Sequence, residues 1–174
     1  MKALARFDDI HSHSRRGPAV VTNLPYGEEI TTAPGEAWYS VGFHPWDTAR
    51  SMPDMEYLRR VASDPRVVAV GEAGIDRLRG ADADTQREVF RCQAILAEEV
   101  GKPLIIHCVR AWDDIMALRR QLKPAVEWII HGFRGGAPQA AQLLRAGFML
   151  SLGERHAPQA ELFIPDERRY RETD

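Results

Sequence analysis

Six histidine and carboxylate side chains stand at or just past the ends of short apolar or alternating segments. They are His11, His13, Glu72, His107, His131 and Asp174. Imidazole and carboxylate groups that come from separate segments and meet at one end of a sheet can hold metal ions that activate water. The set therefore predicts a metal centre for hydrolysis.

Six ligands with one shared carboxylate are most simply arranged around two divalent ions about 3.5–4 Å apart, with a hydroxide between them. The predicted division is His11, His13 and Asp174 for one ion, His107 and His131 for the other, and Glu72 as the bridge. A carboxylate that touches an activated water is also placed to accept its proton. Glu72 and Asp174 are accordingly predicted to be catalytic.

Eight short segments, most of them bounded by glycine or proline, are typical of buried parallel strands. They are expected at 5–10, 19–24, 37–42, 67–71, 103–107, 127–131, 148–152 and near 170. Helical periodicity is expected at 53–62, 85–100, 112–122 and 138–146. Thr85 and Glu88 have the spacing of a capping box for the second of these helices.

The alternation of strand and helix predicts an α/β fold, a (β/α)8 TIM-like barrel formed by a single domain over residues 1–174. A full barrel of this type has about 250 residues. The barrel is therefore expected to be distorted, with the helices after strands 1, 2 and 8 missing or reduced. Because the carboxyl ends of barrel strands share one mouth, the six ligands should converge there.

Composition narrows the function further. A net charge of −2 argues against a protein that binds polyanions through bulk charge, while a local phosphate site stays compatible with it. Two cysteines are too few for a disulfide scaffold and suit a reducing compartment. Since no signal-like or membrane-spanning apolar run is visible, a cytoplasmic protein without membrane contact is expected.

Six motifs in order along the chain carry a family resemblance. They are Asp9-Ile10-His11-Ser12-His13, Val41-Gly42-Phe43-His44-Pro45-Trp46, Gly71-Glu72-Ala73-Gly74-Ile75-Asp76, Ile106-His107-Cys108-Val109-Arg110-Ala111, His131-Gly132-Phe133-Arg134-Gly135 and Glu172-Thr173-Asp174. Together they resemble the TatD family of metal-dependent deoxyribonucleases. The resemblance implies a distorted β/α barrel, one or two metal ions and hydrolysis of phosphodiester bonds. It also implies a 3′-5′ exonuclease that acts on the ends of single-stranded DNA.

Two considerations bear on the identity of the metal, and they favour different ions. The resemblance implies magnesium, whereas four imidazoles favour zinc, manganese or another transition ion. Two divalent ions are therefore expected, magnesium or manganese for activity, with zinc as an alternative bound ion. Asp9 and Asp76 lie beside ligands in the sequence and are expected to orient imidazoles from behind.

Three further residues are predicted to contact substrate. His44 follows the third strand, and the resemblance makes it a phosphate contact or a catalytic acid. Trp46 is expected to stack on a base. Arg110, three residues after His107, is expected to bind phosphate, since guanidinium matches phosphate geometry.

The missing helices should leave one flank of the barrel bare, between strands eight and two. The residues predicted to point outward there are Arg6, Asp8, Ile10, Arg169, Arg171 and Thr173. Because most of them are charged, this flank is expected to be solvated or covered by a partner protein or a second copy.

Two other functions stay open at this point. The same ligands could serve amide, ester or aminoacyl-tRNA hydrolysis, and fold alone does not decide between these bonds. The chain could also be a non-catalytic barrel stabilised by metal.

Overall fold

The computed structural model describes residues 2–174. Eight parallel strands form one sheet in which each strand pairs with its neighbours in sequence. They are β1 (Asp9–Ser12), β2 (Val20–Leu24), β3 (Trp38–Val41), β4 (Val67–Asp76), β5 (Leu104–Val109), β6 (Trp128–Ile130), β7 (Met149–Leu152) and β8 (Arg169–Arg171). The helices are α1 (Met55–Ala62), α2 (Ala83–Glu99), α3 (Trp112–Leu122), α4 (Ala137–Arg145) and α5 (Ala160–Phe163), with 3-10 turns at Pro45–Ala49 and Asp166–Arg168. Within residues 2–174, no helix combines the length and the apolar character needed to cross a membrane.

The sheet curves into a nearly closed barrel. At the seam between β8 and β1, the backbone N–H groups of Thr173 and Asp174 donate to the carbonyl of His11, at 3.3 and 3.1 Å. The connections at 13–19 and 25–37 contain no helix, and residues 172–174 follow β8 without one. The predicted α/β barrel is therefore confirmed, with no helix after β1 or β2, and the lack of a helix after β8 stays a prediction.

Two apolar layers follow from the alternation of side chains along the strands. Residues such as Val21, Ile105 and Ile129 belong to the cluster that fills the barrel interior. Leu104 and Ile106 belong to the larger cluster between the strands and the helices. This alternation leaves His107, two residues after Ile105, facing the interior at the carboxyl end of β5.

The first strand lies later in the chain than predicted. β1 covers Asp9–Ser12 rather than residues 5–10, because N–H groups of Ala5 and Phe7 close turns onto the preceding chain. Leu4 and Phe7 are buried against the interior cluster. Ile10 is also buried in that cluster, so its predicted outward position is wrong. The register of β1 is irregular between Asp9 and Ser12, which explains why simple alternation failed there.

Two other predicted boundaries are wrong. The N-cap of α2 is Asp82, whose carboxylate accepts the N–H groups of Asp84 and Thr85, so Thr85 and Glu88 do not form the capping box. β4 continues to Asp76 rather than ending at residue 71. The apolar run at 67–71 predicted where this strand begins, whereas residues 72–76 include polar and glycine residues that gave no strand signal.

Charged side chains line the flank where helices are missing. Arg6 is exposed and stacks on Trp38, with its guanidinium carbon 3.9 Å from the ring centroid. Arg171 is exposed and pairs with Glu161 of α5 at 3.0 Å. The one-turn helix α5 therefore provides the cover near β8, and the idea that a partner or second copy covers the rest stays a prediction.

The turn between α1 and β4 supplies a pH-dependent contribution to stability. Hydrogen bonds from the Arg66 side chain to Asp64 lower the pKa of this carboxyl to about 2. A lowered pKa stabilises the fold above the unfolded value near 3.8 and loses that effect as pH falls towards 2. We expect Asp64→Asn to lower the free energy of unfolding at pH 7 by about 1 kcal/mol, since solvent screens part of the pair.

Urea denaturation of Asp64→Asn and wild type between pH 7 and pH 2 measures this contribution. The difference between the two proteins should shrink as pH falls below about 4. The exposed Asp8 provides the matched control, Asp8→Asn. A constant difference across the whole range would show that the ionised carboxylate is not what stabilises the turn.

Candidate metal centre

Glu72 lies inside β4 and reaches the mouth of the barrel through a bulge. The register with β5 runs from Val70↔Leu104 to Ala73↔Ile106, so β4 has one extra residue in this interval. Such an extra residue re-aims a side chain. The bulge turns the Glu72 side chain into the mouth, where it is 4% exposed.

Close approach of β4 to β5 is possible because residue 74 is glycine. A Cβ built on Gly74 would lie 1.8 Å from the carbonyl oxygen of His107. These two residues are also partners in the register of the two strands. The glycine therefore allows the spacing that sets Glu72 beside His107.

The two carboxylate oxygens of Glu72 face different pairs of imidazoles. Oε2 lies 3.3 Å from Nε2 of His11 and 3.4 Å from Nε2 of His13. Oε1 lies 2.6 Å from Nδ1 of His107 and 2.8 Å from Nε2 of His131. The geometry matches a carboxylate that is shared between two sets of ligands.

Asp174 and His44 complete the cluster. Oδ1 of Asp174 lies 3.5 Å from Nε2 of His13 and 3.8 Å from Nε2 of His11. Nε2 of His44 lies 3.1 Å from Oε1 of Glu72, beside the pair formed by His107 and His131. The structure thus brings all six predicted ligands together, and it adds His44 to the nitrogen donors within reach of an ion near Glu72.

Electrostatics keeps the bridging carboxylate charged. Burial alone would raise the pKa of Glu72, but the surrounding imidazoles, His131 first, hold the pKa well below its usual range. Burial would lower the pKa of His131, yet Glu72 and Glu172 raise it well above the ordinary value. The carboxylate of Glu72 is therefore in its ionised form at neutral pH, which is the form that binds a cation.

Unpartnered nitrogen atoms support the fit of a metal. His11 is fully buried, and neither Nδ1 nor Nε2 has a hydrogen-bond partner among residues 2–174. A buried polar group without a partner costs about 1–3 kcal/mol. An ion between Nε2 of His11 and Oε2 of Glu72 would satisfy one of these atoms, and the mixture of imidazole and carboxylate fits zinc or manganese as well as magnesium.

Asp76 supports His107 from behind. Its Oδ2 lies 3.2 Å from Nε2 of His107 and accepts a hydrogen bond from the indole N–H of Trp46 at 2.6 Å. The contact with an imidazole is the one expected for Asp76. Arg79 covers a face of Trp46, with its guanidinium carbon 4.3 Å from the ring centroid. Trp46 is 42% exposed, so stacking on a base stays a prediction that requires Arg79 to share or leave that ring.

Asp9 differs from its expected role. Its carboxylate accepts the backbone N–H groups of His11 and Thr173, both at 3.2 Å, together with the Thr173 hydroxyl at 2.6 Å. No imidazole is among its hydrogen-bond partners in the described chain. The expectation that Asp9 orients a ligand imidazole is wrong, because the irregular register of β1 turns its side chain towards the β8 seam.

Two residues near the site had no predicted role. Glu172 is fully buried at its side chain, and its Oε1 lies 3.5 Å from Nδ1 of His131. Strand alternation from Asp174 would have placed it on the same face. The Asn23 side chain accepts the N–H of Glu72 at 3.0 Å, which no sequence signal indicated because β2 and β4 are separated by β3 in the sheet.

Arginines surround the mouth. Six of them lie in loops that follow different strands, are exposed, and form no ion pair with another described residue. They are Arg16, Arg50, Arg79, Arg110, Arg134 and Arg155. Arg110, the predicted phosphate contact, has a positive φ of 53°. The described rim therefore presents positive charge above a site with a buried carboxylate at its centre.

A parallel β/α barrel with imidazole and carboxylate donors at its carboxyl mouth is the class that fold and site define. The model of the TatD-related DNase family matches residues 20–174. The chain belongs to this family, which confirms the resemblance seen in its motifs.

Curated relatives agree with this assignment. The chain is 33% identical over 145 residues to the uncharacterized metal-dependent hydrolase YabD of Bacillus subtilis, covering 78% of this chain and 57% of the relative. It is 32% identical over 157 residues to the 3′-5′ ssDNA/RNA exonuclease TatD of Musicola paradisiaca, covering 82% of this chain and 58% of the relative. The chain thus spans less than two thirds of the length of these relatives.

Solved structures show the same fold. A TatD homologue from Escherichia coli K12, YJJV, superposes with a TM-score of 0.74 at 22% identity, over 98% of this chain and 80% of the other. A TatD family hydrolase from Entamoeba histolytica superposes with a TM-score of 0.68 at 26% identity, over 80% of this chain and 50% of the other.

Proposed function

We propose that this protein is a metal-dependent phosphodiesterase that removes nucleotides from the 3′ end of single-stranded DNA or RNA. The observation that carries the proposal is the position of Glu72, whose two oxygens lie within 3.4 Å of imidazole nitrogens from five different histidines. A shared carboxylate between two sets of donors is the arrangement of a two-metal hydrolytic centre. Curated relatives that are named 3′-5′ ssDNA/RNA exonucleases support the choice of substrate.

The proposed ligands are those of the predicted set. His11, His13 and Asp174 would hold one divalent ion, His107 and His131 the other, and Glu72 both. When bound, the ions supply an activated water and neutralise charge on the phosphate oxygens. Magnesium or manganese would serve activity, and zinc fits the donors as a bound ion.

Protein side chains would transfer the protons and hold the substrate. Asp174 is 38% exposed at its side chain, so its Oδ1 can accept a proton from the attacking water and release it to solvent. The imidazole of His44 is partly exposed at the mouth and would contact the scissile phosphate or protonate the leaving oxygen. Arg110 and Trp46 would hold the neighbouring phosphate and base.

The unpaired arginines of the rim favour a polyanionic substrate. A guanidinium without an acidic partner needs no internal ion pair broken before it binds phosphate. Arginines of this kind lie in loops from the one after β1, with Arg16, to the one after β7, with Arg155. A single-stranded nucleic acid bound across the mouth would therefore have unpaired guanidinium groups available to its phosphates. A small neutral ester or amide would not use them.

The proposal is tested by metal removal and return. We expect chelator-treated protein to leave 5′-labelled single-stranded DNA intact, and added magnesium or manganese to restore shortening from the 3′ end. Elemental analysis before treatment identifies the ions that the purified protein carries. His13→Ala, which removes one proposed ligand, should lower the rate at least about 100-fold, since a metal ion supplies several kcal/mol of transition-state stabilisation.

His156→Ala is the matched histidine control because His156 lies in the loop after β7 and contacts Gly153 and Glu161 instead of Glu72. It should retain activity. Equal cleavage by wild type and His13→Ala would identify a contaminating nuclease. Metal binding without cleavage of any nucleic acid would contradict the proposal. It would favour hydrolysis of a carbonyl substrate, or a barrel that binds metal without catalysis.

A further inference from the structure

Residues 172–174 continue from β8 and bond to the strands on both of its sides. The N–H of Glu172 still donates to Leu152 of β7 at 3.2 Å, whereas the next two N–H groups donate to the carbonyl of His11 in β1. This tripeptide, called here the seam segment, therefore joins the two edges of the barrel. The side chains of Glu172 and Asp174 contact histidines of the site.

The seam segment contacts both halves of the proposed metal centre. Asp174 faces His11 and His13, at 3.8 and 3.5 Å, in one half. Glu172 faces His131, at 3.5 Å from its Nδ1, in the other half. Within the described chain neither oxygen of Glu172 forms a hydrogen bond of normal geometry, and this buried carboxylate lies beside both His131 and Ser151. A carboxylate behind a ligand imidazole fixes its tautomer and orientation.

The buried side chain of Asp9 adds to these backbone hydrogen bonds in holding the seam segment. Asp9 is 2% exposed, and both of its oxygens accept hydrogen bonds from Thr173: Oδ2 from the hydroxyl at 2.6 Å and Oδ1 from the backbone N–H at 3.2 Å. The hydroxyl also lies 3.2 Å from Oγ of Ser12. Hydrogen bonds to an ionised acceptor are about twice as strong as neutral ones.

We propose that Asp9 and Thr173 are positioning residues that set both halves of the metal centre at once, by fixing Glu172 and Asp174 through the seam segment. Neither residue reaches an ion. Asp9 holds Thr173, and the residues on either side of Thr173 contact the ligands of opposite halves. This inference rests on the proposed function, since it presupposes that the cluster binds metal.

Two substitutions of Thr173 distinguish the effect of its hydroxyl group from the effect of its side-chain packing. Thr173→Val keeps the shape and removes the hydroxyl donor, whereas Thr173→Ser keeps the donor and removes a methyl group. Manganese binding to chelator-treated full chain, followed by electron paramagnetic resonance of the free ion, gives stoichiometry and affinity without any assay of activity. Thr31→Val, at an exposed position, is the control.

We expect Thr173→Val to weaken the binding of both ions about 10- to 100-fold, the usual effect of losing a residue that supports metal ligands. Thr173→Ser and Thr31→Val should bind like wild type. Because His13→Ala removes a ligand from one half, it should weaken mainly one ion, which shows that the assay separates the halves.

Wild-type affinity in Thr173→Val would overturn the inference, and so would weakening of one ion only. Equal weakening in Thr173→Ser would do the same, because it would show that packing rather than the hydroxyl matters. A wild type that binds no manganese would overturn the proposed function instead, which distinguishes the two failures.

Discussion

Glu72→Gln should lower the proposed nuclease activity at least about 1000-fold, because the amide removes the charge that would hold both proposed ions. The variant keeps the shape of the side chain, and one of its two positions becomes an N–H₂ donor that repels a cation. Since Oε1 and Oε2 face different pairs of histidines, no rotation of the amide can serve both. Metal content by elemental analysis and the rate of 3′-end shortening measure the two effects together.

The free energy of unfolding gives an independent readout of the same variant. Denaturation of the metal-free protein shows whether the variant keeps its fold, which separates loss of metal binding from unfolding. Glu88→Gln, on the exposed side of α2, is the matched control and should keep both metal and activity. Full metal content in Glu72→Gln would contradict the bridging role.

Gly74→Ala should destabilise the fold by about 3 kcal/mol, at the upper end for a single added methyl group in a packed core. The added Cβ would meet the backbone carbonyl of His107 at 1.8 Å, and a backbone atom cannot move aside as a flexible side chain can. For a chain of this size, that loss lowers Tm by about 6–12 °C. Calorimetry of the two proteins measures it.

Gly136→Ala is the matched control, because a Cβ at Gly136 would find its nearest neighbour, Cδ of Pro138, at 3.8 Å. We expect it to lower Tm much less. If Gly74→Ala folds with nearly wild-type Tm, β4 and β5 must tolerate a wider separation than the structure has, and the close approach would not be what sets Glu72 beside His107.

Much of the architecture followed from local patterns in the sequence. Short apolar runs bounded by turn residues predicted five of the strands close to their observed positions, as with β5 and β6. Helical periodicity predicted α3 at its observed bounds, residues 112–122. These predictions succeed because burial on both faces of a parallel strand, or on one face of a helix, leaves a periodic record in the chain.

Local patterns failed where distant segments decide the geometry. The start of β1 depends on turns that bury Leu4 and Phe7 against strands from the far side of the barrel. The extension of β4 depends on pairing with β5, because its polar and glycine residues carry no strand signal of their own. Both corrections concern elements that border the candidate site.

The sequence by itself determined which donors are available and the order in which barrel strands present them, since residue type and strand-end position are local properties. Only the tertiary structure decided which oxygen of Glu72 faces which imidazoles. It also decided that Asp9 bonds to Thr173 rather than to an imidazole, and that Glu172 contacts His131. Those contacts join residues up to 164 positions apart. They arise from the bulge in β4 and from closure of the seam between β8 and β1, neither of which has a periodic signature in the chain.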